Sequence, residues 1–233
     1  MKNHWDKYIQ KWKLDNIPVK ELSTFEDLLL EWNEKINITR ITSPEDVEVK
    51  HFLDSLSIFS LSELAEVKTM IDIGTGGGFP GIPAKLYRKD LKVTLVDSLN
   101  KRIKFLDEVI RELDLKEMET IHGRAEELGR DVKYRERFDL CVSRAVANLR
   151  TLSEYCLPFV KPGKYFLAMK GSDYKEEIEA GKEAITILGG EIIRTEEILL
   201  PGDILHSLIL IKKVKKTPKK YPRAGGKPKK DPL

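Results

Sequence analysis

The chain has 233 residues, 41% of them hydrophobic and 34% charged, enough to bury a core as one α/β domain with an appendage. No apolar run approaches the roughly 20 residues of a membrane span, and the N-terminus does not read as a signal peptide. Two cysteines, Cys141 and Cys156, supply neither a disulfide framework nor a metal-ligand spacing, so the expectation is a soluble, cytoplasmic protein with no membrane partner and no metal. The net charge of +3 conceals a segregation: residues 212–233 hold ten Lys or Arg against Asp231 alone, leaving 31 bases and 37 acids in residues 1–211. A basic tail on an acidic body is an electrostatic footprint for a polyanion, with a disordered solvated tail as the plainer alternative.

Trp5, Tyr8, Ile9 and Trp12 recur at helical spacing within residues 1–16 and predict an amphipathic helix. A second helix is predicted over 22–37, with Ser23 and Glu26 in a capping-box pattern and Phe25, Leu28, Leu29, Trp32 and Ile36 on one face. Ser43 as N-cap and Pro44 at the first helical position open a third, running through Val47, Phe52, Leu56 and Phe59. His51 and Asp54 share a face of that helix, a pairing more often a packed polar contact than a catalytic pair. Residues 1–65 are therefore expected to form a helical cap.

From Lys68 onward strand and helix alternate, the signature of a parallel sheet. Strands are predicted at 69–73, 92–97, 118–121, 138–142, 164–169, 191–199 and 206–213, with helices near 82–87, 99–113 (Ser98 as its cap), 124–128, 148–158 and 173–188. The last two strands are joined only by residues 201–205, too short for a crossover, so they should form an antiparallel hairpin. The expected fold is α/β and Rossmann-like over residues 66–214, a mostly parallel seven-stranded sheet closed by that hairpin. Residues 215–233 are too rich in Pro, Gly and Lys for regular structure.

The strand at 69–73 feeds Gly74-Thr75-Gly76-Gly77-Gly78, where glycines let the backbone take φ > 0 and approach a ligand with no Cβ between. The next strand ends in Asp97, 19 residues past Gly78, placed to accept hydrogen bonds from ribose hydroxyls. Two ligands use this layout. A dinucleotide wants G-x-G-x-x-G, with pyrophosphate on the helix N-terminus. Here the glycine order differs, and Asp72 stands two residues before Gly74. A carboxylate there suits a ligand carrying an amino group and a sulfonium, which is S-adenosylmethionine; on spacing alone NAD remains the minority option. Ala125 and Glu126 follow the third strand as candidates to meet the adenine. Arg144 follows the fourth, where a salt bridge to Asp72 or Glu126 is the structural alternative to a ligand contact.

The blocks WNEKINIT (32–39), HFLDSL (51–56), DIGTGGGFPGIP (72–83), LVDSLNKRIKFL (95–106), GRAEE (123–127), FDLCVSRAVA (138–147), FLAMKG (166–171) and the basic run 217–233 carry a specific resemblance. From about residue 22 to the C-terminus the chain resembles the ribosomal RNA small subunit methyltransferase G family, also called glucose-inhibited division protein B. The resemblance implies a class I methyltransferase fold with S-adenosylmethionine as donor. It further implies methylation at N7 of a guanine in a decoding-region loop of 16S rRNA; the expected partner is 16S rRNA or the small ribosomal subunit, and the expected state is a monomer. Carried over by position, the cofactor contacts fall on Gly74, Phe79, Ala125, Glu126 and Arg144, beside Gly76 and Asp97 from the glycine-loop reading. The expected RNA contacts are Lys170, Lys216, Lys219, Lys220, Tyr221 and Arg223; Tyr221 either stacks on an unpaired base or packs back onto the body.

The chemistry agrees with what the sequence lacks. Exocyclic-amine methylation commonly uses an Asn/Asp-Pro-Pro-aromatic loop after the fourth strand, where this chain has Ser143-Arg144-Ala145-Val146. Pyrimidine C5 methylation needs a cysteine nucleophile, whereas Cys141 lies inside a strand and Cys156 on an apolar helix face. Guanine N7 is already nucleophilic, so alignment alone can supply roughly 7–11 kcal/mol of barrier reduction and no catalytic side chain is expected. A donor on N7 would block the attacking lone pair, so Arg144, if it meets the base, should engage O6 or a phosphate. The alternative from another class is a non-catalytic ribosome-assembly factor that keeps the fold and binds RNA through its tail.

Overall fold

A computed structural model describes residues 5–233; the first four residues of the predicted N-terminal helix lie outside the described residues. Helix α1 (Trp5–Trp12) buries Trp5, Tyr8 and Trp12, as its spacing predicts. Helix α2 (Val19–Ile36) begins behind Pro18, earlier than expected, so Ser23 lies inside it and the Ser23–Glu26 capping box is not formed. The reason is the apolar face: burying Leu22 together with Phe25 and Leu29 requires a full helical turn ahead of Phe25. Ser43 does cap α3 (Pro44–Val47), its hydroxyl accepting from the Asp46 amide at 3.2 Å. The expected single helix then breaks into a π turn over Glu48–Leu53, α4 (Asp54–Leu56) and a 3₁₀ turn over Ser57–Ser60.

Seven strands follow: β1 (Thr69–Ile73), β2 (Lys92–Asp97), β3 (Met118–His122), β4 (Phe138–Arg144), β5 (Val160–Lys170), β6 (Gly190–Leu200) and β7 (Ile204–Lys213). Their order is β3-β2-β1-β4-β5-β7-β6, with β1 to β5 parallel and β7 antiparallel to both neighbours. The predicted hairpin is present, and its second strand inserts between the first and β5. Central strands covered on both faces read as near-continuous apolar runs, and Met70, Ile71 and Ile73 are all buried. Between strands lie α5 (Gly81–Tyr87), α6 (Asn100–Glu112), α7 (Ala125–Leu128), α8 (Leu149–Cys156) and α9 (Tyr174–Ile187). Ser98 does not cap α6; the Asp97 carboxylate takes the Leu99 amide at 2.9 Å instead.

Two apolar layers sandwich the sheet. One joins the cap to α5 and α6 through Phe25, Phe52, Phe79 and Phe105, whose rings meet in sequence around Phe25. The other packs α8 and α9 through Leu152, Phe159, Phe166 and Ile185, and it also takes in Tyr221. Beyond Val214 the chain is mostly irregular, as its composition predicts, except for the single turn α10 (Lys227–Lys230). Strand order reverses between β1 and β4, and open α/β sheets place their crevice at that switch point, outside the carboxyl ends. No helix among the described residues is long and apolar enough to cross a membrane.

Candidate active site

The glycine loop wraps over the end of β1. Gly74 and Gly76 hold φ of +71° and +62°, conformations that favour glycine, and a Cβ on Gly76 would meet nothing nearer than the Gly74 carbonyl oxygen at 4.0 Å. The open side of Gly76 faces a cavity of about 480 Å³ lined by the loop, Asp97, Phe79 and Arg144. A second cavity of about 770 Å³ adjoins it across Gly74, Asp97 and Val146 and is lined by Ala125, Glu126, Asn148 and Tyr155. Six of the expected cofactor positions other than Phe79 thus line one two-chambered cleft, and Phe79 lines its first chamber.

Asp97 organises this cleft from its floor. One carboxylate oxygen accepts the Gly76 amide at 3.0 Å and Arg102 at 3.2 Å, and the other accepts the Leu99 amide. A carboxylate offers about four acceptor positions, so one remains. Asp72 behaves differently from expectation. It is fully buried beneath the loop and lines neither chamber; its Oδ2 accepts from the Thr75 hydroxyl at 2.8 Å and the Gly81 amide at 3.0 Å. The reading that placed it against a cationic ligand is corrected: it braces the loop from below. Gly81 makes this possible, because a Cβ there would stand 3.0 Å from Asp72 Oδ2 and 2.3 Å from Leu95. Asp72 Oδ1 has no partner among the described residues, and burial pushes the carboxyl up to about 7.

Arg144 pairs with neither Asp72 nor Glu126, the acids expected from sequence. It reaches the cap, donating to Asp54 Oδ2 at 2.8 Å, the Lys50 carbonyl at 2.8 Å and His51 Nδ1 at 3.1 Å. A guanidinium only donates, so His51 Nδ1 accepts from Arg144, which excludes a hydrogen from Nδ1 to the Lys50 carbonyl 3.2 Å away and leaves Nε2 carrying it toward Thr39 Oγ1 at 3.0 Å. Burial, reinforced by the Arg144 charge, lowers His51 to about 4 and keeps it neutral. Its ring stacks on Phe79 at 4.3 Å, and the Arg144 guanidinium lies 5.1 Å from the same ring. Asp54, 1% exposed, also accepts from His206 Nδ1 at 2.7 Å. The His51–Asp54 pair, which reads in the sequence as local packing, is therefore half of a chain running Thr39–His51–Arg144–Asp54–His206. Its sequence signal was the i, i+3 spacing; what it lacked was the partner 90 residues away.

The basic residues divide. Lys170 donates to the Ala147 carbonyl and to Glu177, both at 2.8 Å. Lys216, Lys219 and Lys220 are exposed. Tyr221 is 6% exposed within the second apolar layer, the packed alternative to stacking. Arg223 holds the fully buried Glu154 through its guanidinium at 2.7 Å and its own amide at 2.7 Å. Arg135 grips the carbonyls of Thr217 and Tyr221 at 2.7 and 2.8 Å. Sequence reading missed this docking; an acid, Glu154, on the same helix as Leu149, Leu152 and Cys156 was the available sign that a cation must cover it.

A mostly parallel seven-stranded sheet with a closing antiparallel hairpin, and a glycine-and-acid cleft at its switch point, define the class I methyltransferase fold. A solved S-adenosylmethionine-dependent methyltransferase from Aquifex aeolicus shares that fold with a TM-score of 0.55 at 19% identity, over 75% of this chain and 96% of its own. The family model for rRNA small subunit methyltransferase G matches residues 19–201. Ribosomal RNA small subunit methyltransferase G of Alkaliphilus metalliredigens is 56% identical over 221 residues, covering 94% of this chain and 92% of the relative. Its counterpart in Clostridium novyi is 51% identical over 210 residues, covering 90% and 86%. The chain belongs to the rRNA small subunit methyltransferase G family.

Proposed function

We propose that this protein transfers a methyl group from S-adenosylmethionine to N7 of a guanine in a decoding-region loop of 16S rRNA, working in the cytoplasm as a monomer and leaving 7-methylguanosine. The observation that carries the reading is the two-chambered cleft, open at Gly76 and floored by Asp97, which suits an elongated ligand with a nucleoside at one end. Bound there, S-adenosylmethionine supplies an electrophilic methyl group on sulfur. Gly74 and Gly76 let backbone approach it, Asp97 has one acceptor position for a ribose hydroxyl, and Ala125 and Glu126 border the chamber for the base. Phe79 and Arg144 wall the other chamber, beside which the acceptor must arrive. Alignment is the protein's contribution to the chemistry. Both cysteines are fully buried and burial raises the Cys141 thiol, which argues against a thiolate nucleophile.

Residues 1–65 serve as a cap over the catalytic body of 66–214, and the basic segment 215–233 meets RNA. In that segment Lys216, Lys219 and Lys220 touch phosphate, while Tyr221 and Arg223 hold the lysines in place; Lys170, at the end of β5, meets RNA outside the two chambers. The test is transfer of tritiated methyl from S-adenosylmethionine to small subunits and to extracted rRNA, followed by mass spectrometry of the labelled nucleoside. Label in 7-methylguanosine is expected. Cofactor binding without any transfer would favour an assembly factor and overturn the proposal.

A further inference from the structure

A third cavity of about 480 Å³ lies on the far side of Arg144 from the glycine loop, bordered by Asp54, Lys170, Gly171, Ser172 and His206. It shares His51, Arg144 and Ala145 with the first chamber, so the two cavities meet at these residues and a base seated in the third can present an edge to the first. Its volume falls in the range of about 300–1,000 Å³ typical of small-ligand sites, which accommodates one nucleotide. Arg144 is held by three acceptors in the cap, and each carboxylate oxygen of Asp54 has a partner, Arg144 or His206. The other acids on the wall are Glu177, paired with Lys170 at 2.8 Å, and Asp173, which accepts from the Ser172 hydroxyl at 2.9 Å.

His206 gives the cavity its specificity. Asp54 accepts from Nδ1, which fixes the tautomer, and in the neutral ring Nε2 is then an acceptor with no partner among the described residues. The ring side chain keeps 29% exposure at the cavity wall. An outward acceptor on a ring held rigidly by a buried acid matches the N1–H and 2-amino donors of guanine. It opposes adenine, whose N1 is itself an acceptor. Lys170 on the same wall is a donor matched to O6, while N7 needs no partner and is left free. Unstacking a base into such a pocket is how enzymes that modify nucleic-acid bases reach their target atom.

We infer that this third cavity receives the target guanine out of its RNA stack, with His206 reading the N1–H edge and Asp54 acting as the positioning residue that sets the His206 tautomer. The inference rests on the methyltransferase reading above and adds the acceptor's seat to it. His206→Asn is the cleanest variant, because an asparagine amide can still donate to Asp54 but loses the outward acceptor. His206→Gln does the reverse. With small subunits as substrate, His206→Asn should raise KM at least tenfold while the dissociation constant for S-adenosylhomocysteine and the melting temperature stay at wild-type values. His206→Gln should recover part of the loss. In parallel, guanosine 5′-monophosphate added to the protein saturated with S-adenosylhomocysteine should shift the His206 ring resonance in NMR, and adenosine 5′-monophosphate should not. An unchanged KM in His206→Asn, or equal shifts from the two nucleotides, would overturn the assignment while wild-type transfer continued. Absence of transfer by the wild type would instead strike the functional reading itself.

Discussion

The cap and the C-terminal segment line different chambers of the same cleft, and they use their charges in different ways. The cap carries both signs of charge and commits two groups to the cleft: His51 and Asp54 are buried and both hold Arg144. The C-terminal segment is almost all of one sign and leaves most of its charges in water. Arg223 is taken by Glu154, while Lys216, Lys219 and Lys220 stay exposed. What separates the two sets is the partner waiting on another element. A fully buried acid such as Asp54 or Glu154 draws in a cation; where no such acid exists, the cation stays in water. Lining residues Gly225, Gly226, Lys229 and Lys230 also bring this segment to the wall of the second chamber. It therefore does more than trail from the body as an RNA-seeking tail.

The largest expected effect breaks the clasp. Arg223→Ala would leave the Glu154 carboxylate, 0% exposed, without its main partner, and removing one member of a buried pair costs about 3–5 kcal/mol. Urea unfolding of the variant should show that loss, together with weakened cofactor binding as the second chamber loses its outer wall. A change below about 1 kcal/mol would mean the segment is not held by this pair.

A second comparison sets the cap histidine against the acid beneath the glycine loop. Burial favours the neutral form of each, yet their pH contributions run in opposite directions. Asp72 is raised to about 7, so its contribution is full below its ordinary value of 3.8 and is lost as pH rises through about 7. His51 is lowered to about 4, so its contribution is full above 6.5 and is lost as pH falls through about 4. Between pH 4 and 6.5 the two slopes oppose each other. Asp72→Asn removes one of them, so its stability relative to wild type should climb by about 3 kcal/mol across that window. His51→Asn should drift the other way by a similar amount. Denaturant titrations at pH 4.5, 5.5 and 6.5 read both; parallel curves for all three proteins would show that neither group is held neutral by burial.

Much of this is readable in the sequence, for identifiable reasons. Strands buried on both faces announce themselves as apolar runs, and β1 and β2 begin and end where the sequence places them. A link of a few residues forces a hairpin, and β6 and β7 form one. The glycine loop, Asp97 and Arg144 converge because parallel strands deliver their ends to one edge. What stays hidden depends on distance along the chain. Asp72 sits on the same edge, but only the folding of Gly81 over it decides that it is a brace and not a ligand contact. Likewise nothing local to His51 and Asp54 names Arg144, and nothing local to Arg223 names Glu154. The start of α2 differs for another reason: a good capping-box pattern loses to the burial of Leu22 one turn earlier.

The smallest effect on stability falls where the comparison is sharpest. Within one segment, Arg223 is bound to the fold while Lys216, Lys219 and Lys220 are exposed. Replacing those three lysines with glutamine should change unfolding free energy by no more than about 0.5 kcal/mol, as surface substitutions usually do. RNA binding should respond instead. Removing one lysine–phosphate pairing lowers the log–log salt slope by roughly 0.7–0.9, so the triple variant should bind 16S rRNA with a slope flatter by up to about 2–3. Cofactor affinity should hold, because none of the three lysines lines either chamber. Salt titrations of rRNA binding for wild type, the triple variant and Tyr221→Phe separate the roles: the phenylalanine variant keeps the buried ring, and its slope should match wild type. A triple variant that unfolds early, or binds rRNA with an unchanged slope, would show that the exposed and the docked charges of this segment are not divided between RNA and fold.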